Sequence, residues 1–300
     1  MSAAEQDTPW TVARLLGWTQ QFLQRSGIES PRLCAEILLA HAMQCERLRL
    51  YTRFEEIPGV EVRERFRALV QKAGTGHPIA YLTGTKEFFS LAFEVSPDVL
   101  IPRPETEILV ERAISLLRKT PEPAPTILDL GTGSGCIAIS LAKHLPHARI
   151  AASDSSEAAL AVARRSAERH GVAERIEFRC GDLFTPWADG PLFDVILCNP
   201  PYVATAGAPV DASVRDFEPR AALYAGADGL EVIRRVVREG PRRLRGGGHL
   251  LVEMAYDQAA AVRELAEQAG WQKVVAYRDA AGHERVLHAR RRVAEQAQVA

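Results

Sequence analysis

From Thr126 onward the chain alternates short apolar runs with amphipathic segments, and that alternation limits its possible folds more than any other feature. Ile127-Leu128-Asp129-Leu130 predicts a strand ending in glycines, followed by a helix with Ile137, Leu141 and Leu145 on one face. Arg149 to Ser153 predicts a second strand, and 156–170 a second helix closed by Gly171. Further strands are expected at 175–180, 193–198, 248–254, 272–278 and 284–289, with helices near 229–244 and 257–269. Such alternation builds an α/β domain: an open, mostly parallel sheet with helices on both faces.

With 300 residues, 47% of them apolar, the chain can bury that core and a second one. Ahead of the sheet, residues 8 to about 75 carry a helical period. Val12, Leu15, Leu16, Thr19, Phe22 and Leu23 share one face, as do Leu33, Ile37 and Leu38, and then Val62, Phe66, Leu69 and Val70. Ser30 and Pro31 suit an N-cap and first helical position. The stretch reads as a small helical bundle. Residues 86–96, KEFFSLAFEVS, predict a hairpin. Pro102 and Pro104 open a helix with Glu105 and Glu107 at its positive end, and Pro121 to Pro125 form a stiff linker. The expected divisions are 1–84, 85–125 and 126–300, with a polar, frayed tail after Arg292.

Asp129-Leu130-Gly131-Thr132-Gly133-Ser134-Gly135 joins the first strand to its helix, at the sheet edge where ligands of such folds bind. Aligned on Gly131 and Gly133, the third glycine of a dinucleotide fingerprint would fall on Cys136, so that motif fails. No Gly-Lys-Ser/Thr phosphate loop is present either. The Gly-x-Gly-x-Gly form resembles the S-adenosylmethionine loop of Rossmann-like methyltransferases, which cradles a cofactor without phosphate. Asp154 stands where an acid can bond a ribose diol, and Asp182 and Leu183 follow the third strand, where the adenine would lie.

Asn199-Pro200-Pro201-Tyr202 follows the fourth strand at the same edge. The prolines fix the backbone and remove two N–H donors, leaving the Asn199 side-chain oxygen and the Pro200 carbonyl as acceptors beside the flat Tyr202 ring. That array suits a planar –NH2 group, whose nitrogen is a poor nucleophile and gains from being polarised and aimed. It requires no strong base before methyl transfer, because the proton leaves readily once the nitrogen is cationic. An amide and an adenine amino group both satisfy it.

Composition removes several other classes. A net charge of −1 is unlike a protein that grips long nucleic acid by charge. Cys34, Cys45, Cys136, Cys180 and Cys198 form no Cys-x-x-Cys pair, and no histidine cluster has metal-ligand spacing. Buried thiols in a reducing compartment and no metal are therefore expected. No apolar run approaches the ~20 residues that span a bilayer. The reading is cytoplasmic, with no membrane partner and no direct nucleic-acid binding. The basic run Arg242, Arg243 and Arg245 reads as a solvated helix end.

The sequence resembles the bacterial peptide chain release factor glutamine methyltransferase family over nearly its whole length. The resemblance rests on Gly27-Ile28-Glu29-Ser30-Pro31-Arg32-Leu33, Pro78-Ile79-Ala80-Tyr81-Leu82-Thr83-Gly84 and Val99 to Glu107. It continues through Asp129 to Gly135, Asn199 to Tyr202, Phe217-Glu218-Pro219 and Gly226-Ala227-Asp228-Gly229-Leu230. It implies methylation of the amide nitrogen (N5) of the glutamine in the Gly-Gly-Gln motif of class 1 peptide chain release factors, with the helical domain gripping the protein substrate. It also implies that Gly131 to Gly135, Asp154 and Leu183 contact S-adenosylmethionine, that Asn199 touches cofactor and substrate, and that Pro200, Pro201 and Tyr202 frame the glutamine. Asn199 and Tyr202 are the expected catalytic residues. Two stretches depart from the family pattern, Val252-Glu253-Met254-Ala255 and the Ala-Ser-Asp ending of the second strand, and neither is expected to involve a residue given a role.

Arg103, Glu105 and Thr106 keep two readings, a loop closing over cofactor or substrate and a plain helix start. The run Arg103-Pro104-Glu105-Thr106-Glu107 separates this family from its sister that modifies ribosomal protein L3. Adenine methylation would bring a basic, base-flipping accessory domain, and a non-catalytic module would have no need of Asn199.

Overall fold

A computed structural model describes residues 9–119, 122–207 and 210–293. The chain divides into two compact units: one runs up to Thr85 and includes Val210–Phe217, and the other is formed by the remainder from Lys86.

The first unit is helical, with α1 (Val12–Arg25), α2 (Pro31–Ala42), a 3-10 turn (Arg47–Thr52), α3 (Val60–Gly74) and α4 (Ile79–Thr83). Val12, Leu15 and Leu23 of α1, Leu38 and Leu39 of α2, and Phe66 and Val70 of α3 make its core. Thr11 caps α1 by accepting from the Arg14 backbone N–H (3.3 Å). Two details differ from expectation. Ser30 sits in the left-handed region (φ 49°) and makes no side-chain cap bond, so Pro31 alone presets the start of α2. Leu33 is 42% exposed while Ala35 is buried, because Ala35 lies three and four residues before Leu38 and Leu39 and so shares their stripe.

The second unit begins with the expected hairpin, β1 (Thr85–Phe88) and β2 (Leu91–Glu94), whose two loop residues Phe89 and Ser90 both have positive φ. Pro104–Thr106 forms a 3-10 turn and α5 (Glu107–Leu117) follows. Pro121 of the expected linker, the tail from residue 294 and the first eight residues lie outside the described residues. Next come β3 (Thr126–Leu130), α6 (Cys136–His144), β4 (Arg149–Asp154), α7 (Glu157–Arg169), β5 (Ile176–Cys180) and β6 (Phe193–Cys198). After α8 (Ala212–Phe217), which belongs to the first unit, α9 (Glu231–Glu239), β7 (Leu244–Glu253), α10 (Ala259–Gln268), β8 (Gln272–Arg278) and β9 (Glu284–Arg290) complete the chain.

The main sheet runs β5-β4-β3-β6-β7-β9-β8, with β9 antiparallel to both neighbours. Ile127, Ile150, Val195 and Leu197 face a core shared with α5 and α6, while Leu128, Leu130, Ile196 and Leu250 face one shared with α9 and α10. This is the period-2 alternation that a sheet buried on both faces requires. The helix expected at 229–244 stops at Glu239, where Pro241 two residues on cannot continue it. The strand then starts at Leu244, earlier than expected, and a bulge opposite Phe193 to Val195 absorbs its glycines.

Arg243 and Arg245 are not a solvated helix end. Arg243 donates to the Trp187 carbonyl (2.9 Å), and Arg245 bonds Asp194 (2.8 Å) at the entry to β6. The cysteines also differ from expectation: Cys136 and Cys198 are buried, Cys34 and Cys45 half-buried and Cys180 exposed, and none of the five is in a disulfide. Cys180 ends β5, the outermost strand on its side, which leaves its thiol in solvent. Among the described residues no helix is long and apolar enough to cross a membrane, and no cluster of three His, Cys, Asp or Glu could hold a metal ion.

Candidate active site

The strand register builds the site. Leu130 lies opposite Ser153 on one side and Cys198 on the other, Asp154 lies opposite Cys180, and Cys198 lies opposite Val252. The residues just past these pairs therefore leave the sheet in one row: Gly181, Asp154, Gly131, Asn199 and Glu253. The strand order reverses between β3 and β6, where the connections diverge and leave a crevice. A cleft of about 380 Å³ lies there. Gly131, Thr132, Gly133, Ser134, Asp154, Asp182, Leu183, Asn199, Pro200 and Pro201 all line it, and Gly135 and Tyr202 do not.

At one end of the cleft the glycine loop is tied to the sheet by its own backbone. Gly131 N–H and Thr132 N–H both donate to the Ser153 carbonyl (2.8 and 3.0 Å). The Asp154 carboxylate accepts from Gly133 N–H and from Ser156 N–H, each at 2.9 Å, so the expected ribose ligand also clamps the loop. Beneath the loop, fully buried Asp129 accepts from the Thr132 hydroxyl (2.7 Å) and the Ala138 N–H (3.2 Å). Burial pushes the Asp129 carboxyl up to about 7, against the pull of those two bonds. The buried Ser134 hydroxyl has no hydrogen-bond partner.

Gly135 has a packing reason for being glycine. Its φ is +81°, and a Cβ there would lie 2.9 Å from Ile139 Cδ1 and 3.1 Å from Ala163 Cβ, where α6 meets α7. Asp182 is exposed and paired with Arg235 (2.6 Å). Ser153, one of the departures from the family pattern, does touch an assigned residue, since its hydroxyl donates to the Leu183 carbonyl (3.3 Å).

The other end is held by side chains from distant elements. Asn199 Nδ2 donates to the buried Thr106 hydroxyl (3.1 Å), and Asn199 Oδ1 is buried with no partner. Thr106 and Pro102 also line the cleft, so the segment before α5 is both a helix start and a cleft wall. That segment is pinned by Glu218, whose two oxygens accept from Ile101 N–H (3.1 Å) and Arg103 Nη2 (2.5 Å).

Tyr202 turns its hydroxyl to Glu253 Oε1 (3.3 Å), and its carbonyl accepts from Gln258 Nε2 (3.0 Å). Gly229 (φ +73°) packs so closely on that carbonyl that any Cβ would collide with its oxygen. Glu253 is 1% exposed. Burial pushes its carboxyl up to about 7, while the hydrogen bond from the Tyr202 hydroxyl favours the charged form. Glu253 thus belongs to the site, although its stretch was set aside as a departure without a role. The residues the sequence left unassigned are Thr106, Glu218 and Glu253. The one available signal for Thr106 was the Arg103 to Glu107 run, where the structure shows the helix start and puts Thr106 in the cleft wall.

Comparison with known proteins adds family evidence. The PrmC N-terminal domain model matches residues 14–84 and the methyltransferase small domain model residues 106–218. The release factor glutamine methyltransferase of Rhodopirellula baltica is 45% identical, covering 96% of this chain and 98% of that one. The Geobacter sulfurreducens protein of the same name is 42% identical, covering 94% and 97%. Among solved structures, the hMettl16 catalytic domain has the same fold, with a TM-score of 0.55 and 20% identity over 71% of this chain and 80% of that one.

Proposed function

The chain belongs to the release factor glutamine methyltransferase family, and we propose that it methylates the side-chain amide nitrogen (N5) of the glutamine in the Gly-Gly-Gln motif of class 1 peptide chain release factors. The methyl donor is S-adenosylmethionine. The residues present fit that cofactor: the cleft opens at the strand ends, and its glycine loop carries a buried, unpartnered Ser134 hydroxyl. In this reading Gly131, Thr132, Gly133 and Ser134 hold the methionine part, Asp154 the ribose, and Asp182 and Leu183 flank the adenine. Gly135 contributes by letting α6 start close against α7. The bound cofactor supplies an electrophilic methyl group.

The chain's own residues prepare the other reactant. Asn199 Oδ1 and the Pro200 carbonyl accept the two N–H bonds of the substrate amide, which fixes its plane and draws electron density onto nitrogen. Pro200 and Pro201 carry no N–H, so no donor competes for those acceptors. Asn199 borders both reactants. Tyr202 stiffens the loop through its bonds to Glu253 and Gln258. The helical unit, residues 1–84, grips the release factor, and the work is done in the cytoplasm where that substrate is found.

The observation that carries this reading is the Asn199 amide, which is tied by its nitrogen to Thr106 and leaves a buried acceptor without a partner. Mass spectrometry of a release factor incubated with enzyme and cofactor tests it, with one methyl group expected on the Gly-Gly-Gln glutamine. Cofactor binding without any labelled glutamine would overturn it.

A further inference from the structure

Two stretches far apart in the sequence line the same cleft. Val99, Leu100, Pro102 and Thr106 come from the segment before α5, and Pro219 and Ala222 from the segment after α8. Neither stretch is a strand, so no ladder of backbone bonds to a neighbour fixes where it lies.

Glu218 joins them. Its side chain is 1% exposed, and its oxygens accept from the Ile101 N–H (3.1 Å) and from Arg103 Nη2 (2.5 Å), across 117 and 115 residues. A buried carboxylate is costly unless its bonds are made, and an apolar contact could hold the segments together without burying a charge. What two directed bonds to a carboxylate add is a fixed placement of one segment on the other. The link runs on toward the reacting end. The Arg103 carbonyl accepts from the Thr106 N–H (3.1 Å), closing the 3-10 turn, and the Thr106 hydroxyl accepts from Asn199 Nδ2 (3.1 Å).

We infer that Glu218 is a positioning residue for methyl transfer: it fixes the segment before α5 against the segment after α8, and so places the Thr106 hydroxyl where it holds the Asn199 amide. This rests on the function proposed above and deepens it, since Glu218 is not among the residues that line the cleft and acts only through others. Glutamine at position 218 keeps the side-chain volume but turns one acceptor into a donor, so either the Ile101 N–H or the Arg103 guanidinium would meet an N–H group.

The test uses the full chain with Glu218→Gln, Thr106→Val and the double variant, each checked for folding by thermal melting. Losing one charge-assisted bond should lower kcat about tenfold in Glu218→Gln, with release-factor KM and cofactor affinity within about threefold. Cofactor affinity is spared because the glycine loop is held by Ser153 and Asp154 of β4. In the Thr106→Val background the same change should cost less than about twofold, since one residue acts through the other. If Glu218→Gln does not fold, Arg103→Ala cuts the same link from its more exposed side and is compared in the same way. Additive losses in kcat, or a loss confined to cofactor affinity, would each overturn the inference.

Nitrogen-15 NMR of the Asn199 side chain needs no substrate. Its amide protons should exchange slowly in wild type and faster in both Thr106→Val and Glu218→Gln. Unchanged exchange in Glu218→Gln would overturn the inference even if kcat falls. If wild type fails to label release factor, the proposed function falls, and the NMR comparison still decides whether Glu218 holds the Asn199 amide in place.

Discussion

The two ends of the cleft use the same device and build it differently. Each has a buried acid below its loop, Asp129 under the glycine loop and Glu253 under Asn199 to Tyr202. Burial pushes both carboxyls up to about 7, and each has one oxygen without a partner. Asp129, however, is satisfied by Thr132 and Ala138, three and nine residues away. Glu253 is reached by Tyr202 from 51 residues away, and Thr106 meets Asn199 across 93. One end is a single β-α-β stretch whose loop N–H groups are held by its own second strand. The other exists only once the sheet has brought β6, β7 and the segment before α5 together. On the proposed assignment, a cofactor pocket made of local backbone tolerates changes elsewhere, whereas an amide-orienting pocket made of distant side chains depends on the register of the whole sheet.

If the ends divide the work in this way, removing the acceptor at one end should leave the other intact. Asn199→Ala should lower kcat about a hundred- to a thousandfold, the usual cost of removing one group aimed at a reacting centre. Cofactor affinity by titration calorimetry should stay within about threefold. A collapse of cofactor affinity would make Asn199 chiefly a cofactor ligand and break the division.

Gly135→Ala asks whether the local end is limited by packing. The left-handed φ of +81° costs an alanine about 1–2 kcal/mol, and the added carbon at 2.9 Å from Ile139 forces repacking worth about as much again. A loss of about 3 kcal/mol in denaturant unfolding is expected, with near-normal cofactor affinity in the folded protein. Wild-type stability with lost affinity would instead put Gly135 in contact with the cofactor.

Asp154→Ala should act in the opposite sense to Asn199→Ala. It removes an acceptor for the Gly133 and Ser156 N–H groups and the expected ribose ligand together. Cofactor affinity should fall about tenfold, and kcat at saturating cofactor should stay within about threefold. An unchanged affinity would remove Asp154 from the cofactor end.

The same contrast explains what could be read from the sequence. Asp129 to Gly135 and Asp154 lie within one β-α-β stretch, where strand length, glycine placement and helix period are local signals. Asn199 to Tyr202 was legible because two prolines after a buried strand leave few conformations. The partners Thr106 of Asn199 and Glu253 of Tyr202 were not legible, since no spacing in the chain links residue 106 to 199 or residue 253 to 202. Only the pairing of Cys198 with Val252 places Asn199 beside Glu253. Gly135 was read as part of the ligand loop because its neighbour α7 is invisible from the motif. The start of β7 was misjudged for a similar reason, as a triple glycine reads as a turn until a partner strand holds it extended. Tyr202 was read as an open ring face, and the acid that takes its hydroxyl arrives from another strand.

A further test concerns the two acids themselves. Burial pushes both carboxyls up to about 7, from ordinary values of 3.8 for Asp129 and 4.5 for Glu253. A raised carboxyl keeps its proton in the fold after the unfolded chain has lost it. Its stabilising share is therefore complete below the unfolded pKa and is lost as pH rises toward about 7. Each acid should contribute a fall in stability of up to about 1.4 kcal/mol per pH unit across that window, and none well above it. Denaturant unfolding of wild type, Asp129→Asn and Glu253→Gln at several pH values between about 5 and 8 measures those slopes. Each amide variant should lose one share of the slope, so its stability relative to wild type improves with rising pH and then levels off. If Asp129→Asn flattens the curve and Glu253→Gln runs parallel to wild type, then Glu253 is ionised in the fold throughout. The bond from the Tyr202 hydroxyl would then outweigh its burial, and the resemblance between the two ends would stop at geometry.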